Sequence, residues 1–414
     1  MHKTLATLFL AAFVACAAIG ARAAETATPD DTARFLAGLQ PSANSPLAPL
    51  ANTPEWQQHA RRFDSMFAEE EKFSLAKVRA FSKDHLPDKH HSMLYMFSGP
   101  DALYAVSLFP TATTYVLVGL EPAGGVPSLT SLTRGTLDAS LRNLETSLGT
   151  VMTYSFFITK NMKTQLRAGP VFGTLPIIYV FLARTGKTIH DASFVNLDRD
   201  GNVVAADDKS KNSAAQGVKI VFSDGSGPNQ TLYYFSTNLG DDGVKTSGLL
   251  PFLDKLGAAD SFVKSASYLM HVGNFSTIRN FLLARSATIV QDDSGIPLAF
   301  FDPKKWQLEP YGHYLGPIGE FPSHYQTAME DLYRKTAPTP IDFGLGYRWR
   351  KNESNLLVAR KTAPISDESV VNTALTMKSE MFGPPDVSRG GPPPSQRPAP
   401  QPFWGGYRLY GPRW

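Results

Sequence analysis

Cysteine is almost missing from this chain of 414 residues: Cys16 is the only one, and it sits in an apolar N-terminal stretch. The rest of the chain has no thiol with which to form a disulfide, ligate a metal or attack a substrate. Charge is sparse as well, at 19% of residues, with 40 Lys and Arg set against 37 Asp and Glu. Such a balance excludes binding to nucleic acid by phosphate neutralisation unless the basic residues cluster. They do not, because residues 24–380 hold 34 basic and 36 acidic side chains. The usual catalytic signatures are absent too. There is no Gly-x-Ser-x-Gly elbow, no His-Glu-x-x-His, no P-loop and no Gly-x-Gly-x-x-Gly after a strand, which takes most of the support from the standard α/β-hydrolase, zincin, P-loop and dinucleotide-binding readings. No motif calls for a cofactor. Long apolar runs are also lacking: Leu5–Ile19 spans 15 residues, short of the roughly 20 that cross a bilayer.

What is present begins with that run. His2-Lys3, the apolar stretch and Ala21-Arg22-Ala23 form the three parts of a secretory signal peptide over residues 1–24. Phe13-Val14-Ala15-Cys16 loosely resembles the lipobox of bacterial lipoproteins, and that resemblance implies, as an alternative, anchoring through Cys16. An exported chain without disulfides fits a bacterial envelope, periplasmic or secreted. No transmembrane helix is expected in the mature chain.

Residues 25–53, rich in Ala, Pro, Ser and Asn, read as a loosely ordered lead-in. Residues 381–414 hold nine Pro and six Gly and read as a disordered tail. That tail ends in Phe403, Trp404, Tyr407, Tyr410 and Trp414 interleaved with arginines, a set suited to docking on an envelope or protein partner. Between these ends the chain reads as mixed α/β. A first lobe spans 54–190, a β-hairpin region 191–246 and a second lobe 247–380.

Trp56, Ala60, Phe63 and Phe67 mark one face of a helix, and a second helix follows over 74–84. Residues 92–97 and 114–120 read as strands around a short helix opened by Ser98-Gly99-Pro100-Asp101, a parallel βαβ unit. Ser128 is the expected N-cap of the leucine-striped region that follows, with helix resuming after Gly149 through Gln165. Residues 175–183 read as a buried strand and Ala192–Asn238 as two hairpins. Helices are expected over 249–256, 260–269 and 275–284, then strands at 288–291 and 297–301. An aromatic loop over 302–321 leads to a helix over 323–335 and to strands near Tyr347 and at 356–360. Offsetting the chain by 174 residues matches Met96, Gly99, Leu108, Thr114 and Val116 with identical residues at 270, 273, 282, 288 and 290. The two lobes are therefore either related or parts of one irregular domain.

Carboxylates next to strand ends are the first functional candidates, because α/β folds place ligands outside the carboxyl ends of their strands. They are Asp101, Glu121, Asp292 and Asp293. His313, Glu320 and His324 crowd the aromatic loop and offer acid, base or ligand groups without a fixed spacing. Ser74-x-x-Lys77 and Ser261-x-x-Lys264 match the acyl-transfer pattern Ser-x-x-Lys but lack its companion motifs. Asp198-x-Asp200-Gly201-Asn202 departs from a calcium loop, with Val203 and Lys209 where Gly and Glu belong, and reads as a turn. Two functions follow: a non-catalytic binding or scaffolding protein of the envelope, or a carboxylate-dependent hydrolase of wall or carbohydrate material.

Overall fold

Two strand–helix–strand units, one from each half of the chain, meet at the middle of a ten-stranded sheet. The computed structural model describes residues 26–86, 90–154, 171–207, 213–225 and 227–376. The leader with Cys16 and the aromatic tail lie outside the described residues. The strands are β1 Ser92–Tyr95, β2 Thr114–Gly119, β3 Thr188–Leu197, β4 Val203–Ala205, β5 Gln216–Ser223, β6 Gln230–Ser236, β7 Ala259–Val263, β8 Ser286–Gln291, β9 Trp306–Gly312 and β10 Asn355–Lys361, in the order β4-β3-β5-β6-β2-β1-β7-β8-β10-β9. The five central strands from β6 to β8 are parallel. The flanking strands run antiparallel, so the architecture is mixed α/β.

The helices of six or more residues are α1 Pro29–Leu36, α2 Pro54–Glu70, α3 Ala76–His85, α4 Ala102–Leu108, α5 Arg134–Tyr154, α6 Leu175–Arg184, α7 Leu249–Lys255, α8 Ser276–Arg285, α9 Thr327–Thr336 and α10 Val371–Thr376. They cover both faces of the sheet. Alternation along the strands divides the core accordingly. Met93 and Tyr95 of β1 join Phe262 of β7 and residues of α1–α6 on one face; Leu94 and Met96 join Val263 and residues of α7–α10 on the other.

The hairpins lie where expected, β3–β4 around Asp198–Asn202 and β5–β6 around Ser223–Asn229. Asp198 closes the first by accepting from the Asn202 backbone at 2.7 Å, with Gly201 at φ +74°, so its carboxylate ties the turn together.

Several local expectations are overturned. Residues 175–183 are helix α6, not a strand, because every residue from Leu175 to Val180 is buried on all sides and a short apolar run has no period to distinguish the two. Phe181 is fully buried there, and truncating it to Ala should cost about 3–5 kcal/mol in urea unfolding. Residues 260–269 contain strand β7 instead of a helix, and 297–301 a 3₁₀ turn instead of a strand. The loop over 302–321 contributes β9, and the chain near Tyr347 makes only an isolated bridge, Leu345 to Arg348. The lead-in is built into the fold: Thr28 caps α1, whose Phe35 and Leu36 are fully buried. Ser128 precedes only a 3₁₀ turn, and Thr133 Oγ1 receives the Thr136 N–H at the start of α5. Helix α5 then passes through Gly149 without a break as far as Tyr154, and the expected continuation over 155–165 lies outside the described residues.

Candidate functional site at the carboxyl edge of the sheet

From β1 the chain crosses through α4 to β2 in one direction along the sheet; from β7 it crosses through α8 to β8 in the other. Helices α4 and α8 pack on opposite faces. The carboxyl ends of β1 and β7 therefore form a topological switch point, where loops diverge and open α/β sheets place their ligands.

The backbone is strained at this point. Among the described residues, five non-glycines have positive φ, and four of them lie in these two loops: Phe97 (62°), Ser265 (51°), Ser267 (51°) and Tyr268 (54°). Each costs about 1–2 kcal/mol and persists only where surroundings hold it. What holds the loop after β7 is a set of buried polar groups. The Asp292 carboxylate accepts from Ser265 N at 2.9 Å and from the Ser294 backbone at 3.0 Å, as well as from the Ser294 hydroxyl. Ser294 Oγ in turn accepts from Ala266 N at 2.8 Å. Tyr268 donates its hydroxyl to Asp293 Oδ2 at 2.7 Å, and Asn355 donates to Oδ1 at 3.1 Å. Gly346, at φ +70°, presses so close to Asp292 that a Cβ there would lie 2.0 Å from Oδ2. Gly346→Ala should therefore lower the urea midpoint clearly, since neither a positive φ nor that contact accepts a methyl group.

On the other side of the switch point, Lys264 Nζ meets Asp101 Oδ2 at 2.7 Å, with both side chains 2% exposed. Tyr95 donates to the same oxygen at 2.7 Å. The other oxygen of Asp101 caps α4 through Tyr104 N at 3.1 Å. Lys264 also lies 3.7 Å from the centre of the Tyr104 ring, whose hydroxyl donates to Glu70 Oε1 at 3.1 Å. Burial lowers the Lys264 pKa against the pull of Asp101, Asp292 and Glu70, and burial raises that of Glu70. Burial first, and then the adjoining Asp293 charge, pushes Asp292 up to about 7; burial also raises Asp293.

Two of the carboxylates singled out in the sequence, Asp101 and Asp292, thus converge on Lys264, and Asp293 adjoins Asp292. Glu121 follows β2 at the same edge: its Oε2 accepts from Leu120 N at 3.1 Å and packs against Gly99 and Gly119. His324 joins through an aromatic cluster, stacked on Tyr268 at 5.1 Å and 18°. His271 stands 5.2 Å from His324, and burial, followed by that neighbour, pushes its pKa down to about 3. His313 is exposed and Glu320 half-buried, and neither shares a hydrogen bond with these carboxylates among the described residues. No group of three His, Cys, Asp or Glu side chains there is placed to hold a metal ion.

Sequence reasoning missed Lys264 as a partner of Asp101. Its Ser-x-x-Lys setting falls on a strand, where positions three apart face opposite sides. Ser261 accordingly bonds Ser286 at 2.7 Å while Lys264 reaches Asp101. In the other match, Ser74 contacts Tyr104 and Lys77 donates to the Asp342 carbonyl. Neither serine meets its lysine. Tyr95, Tyr104 and Tyr268 were also missed; a buried aromatic hydroxyl gives no signal until its partner is in place. Comparisons with family models, curated proteins and solved structures find no match to this chain.

Proposed function

We propose that this chain is an exported, non-catalytic binding or scaffolding protein of a bacterial envelope, with the carboxyl edge of its parallel strands as the binding edge. The observation that supports this reading most is how the carboxylates are used. Asp101, Asp292 and Asp293 are 1–2% exposed, and their oxygens accept from internal donors. A general acid and base must reach a substrate proton across a cleft, whereas these groups fasten two strained loops. Exposed Leu120, Val272 and Leu315 follow β2, β7 and β9 at the same edge, which suits contact with another molecule. The tail aromatics at Phe403, Trp404, Tyr407, Tyr410 and Trp414 are proposed as a second point of attachment to an envelope partner.

The second reading, a carboxylate-dependent hydrolase, draws on one observation: the raised pKa of Asp292 beside a second carboxyl, an arrangement that acid–base enzymes use. A thermal-shift screen of the mature chain against sugars, wall fragments and divalent ions, run with wall-hydrolysis assays, separates the two. Saturable stabilisation without turnover is expected. Turnover that disappears in Asp292→Asn would replace the binding reading with the hydrolase. Export is tested separately: full-length protein is expected to fractionate with the envelope, shortened at its N-terminus. Removing residues 381–414 should reduce envelope retention, and unchanged retention removes the docking role of the tail.

A further inference from the structure

Away from the sheet edge, the start of α2 and the first turns of α5 enclose an apolar void of about 110 Å³. Leu50, Trp56, Leu137 and Leu141 wall it, and Glu55 and Arg134 stand among its more exposed lining groups. Trp56, Leu137 and Leu141 are 2–4% exposed. The indole N–H of Trp56 is already spent on the Phe35 carbonyl at 3.0 Å, so the ring offers no donor to a guest. Leu137 and Leu141 are one turn apart on α5 and present one apolar face. Protein interiors rarely leave space larger than a water molecule, and an apolar void of about 150 Å³ stays dry and takes up benzene or xenon. Thr53 and Asp138 complete the lining, and its two most exposed charged groups are paired: Arg134 grips the Glu55 carboxylate with Nε at 2.9 Å and Nη2 at 2.7 Å. Exposed pairs of this kind contribute little to stability and part readily.

We propose that this void is a binding site for a small apolar group of about six or seven carbons, an aromatic ring or the end of an aliphatic chain, admitted when the Glu55–Arg134 pair opens. The site stands on its own lining residues and does not depend on the reading of the sheet edge. The mature chain would be titrated separately with toluene and with 1-hexanol, following tryptophan emission and the thermal midpoint. At least one probe should raise the midpoint saturably and change the emission; which one does so distinguishes ring from chain. Leu141→Phe fills the void and should weaken binding at least tenfold while leaving the midpoint no lower than in the parent. Leu137→Phe fills it from the neighbouring turn and provides the same test should the first variant not fold. Glu55→Gln should speed association of the bound probe several-fold. Absence of a saturable response to both probes, or undiminished affinity in a folded filling variant, would overturn the site; unchanged association in Glu55→Gln would overturn its gate.

Discussion

Lys264→Met should destabilise the fold by about 3–5 kcal/mol, the usual cost of leaving a buried charge without its partner. The bare charge would be Asp101, 1% exposed, left with the Tyr95 hydroxyl and the Tyr104 amide as its donors. Asp101→Asn should cost less. An amide oxygen still caps α4, and Lys264 retains the fields of Asp292 and Glu70. The double variant Lys264→Met/Asp101→Asn removes both charges and should recover most of the loss, because replacing a whole buried pair is often close to neutral. Urea unfolding of the four proteins yields the coupling directly, and a value of about 2 kcal/mol or more is expected. Additive losses would mean that the pair does not join the two halves of the sheet.

The second large effect is a dependence on pH. A carboxyl whose folded pKa lies above its unfolded value holds its proton more tightly in the native state. Between roughly pH 4 and pH 7 the native chain then binds more protons than the unfolded chain, and stability falls as pH rises. With Asp292 raised from 3.8 to about 7, the loss across that window is on the order of 3–4 kcal/mol. The groups that act with it are Asp293, Lys264, Tyr95, Tyr268 and Tyr347. Glu145 pulls the other way, its pKa lowered by His59 and Arg62 despite its burial; it gains stability above its unfolded pKa, so the parent profile is a sum. Asp292→Asn isolates the term. This variant should be less stable than the parent at pH 5, having lost an acceptor for Ser265 N or Ser294, and its profile between pH 5 and pH 8 should be flatter. Equal slopes in the two proteins would refute the assignment.

These two sites also mark how far the sequence could be read. The unit from Ser92 to Gly119 was legible because its strands are apolar, its turn has Gly99 and Pro100, and its pairing closes within about 30 residues. The helical face of Trp56, Phe63 and Phe67 was legible for the same local reason, while His59 on that face, bonded to Glu145 at 2.7 Å, was not. Leu175–Ala183 misled because complete burial erases the helical period. Among the functional candidates, Asp101 and Asp292 stood out as carboxylates beside strand ends. Their convergence did not, since it depends on β1 pairing with β7, which aligns Met93 with Asp260 across 167 positions of chain. No local pattern encodes that register. The strained loops were equally hidden, because Phe97, Ser265 and Tyr268 carry no turn chemistry that announces a left-handed backbone.

The same pairing has a consequence for how the molecule is made. Contacts between residues so far apart are slow to form, because the chain entropy of closing the loop is lost before any contact compensates for it. Until β7 has been synthesised, β1 remains an apolar rim with unpaired amides, the kind of surface that recruits wrong neighbours. A nascent N-terminal half is thus an aggregation-prone species, and its yield will depend on how long it waits for the remainder.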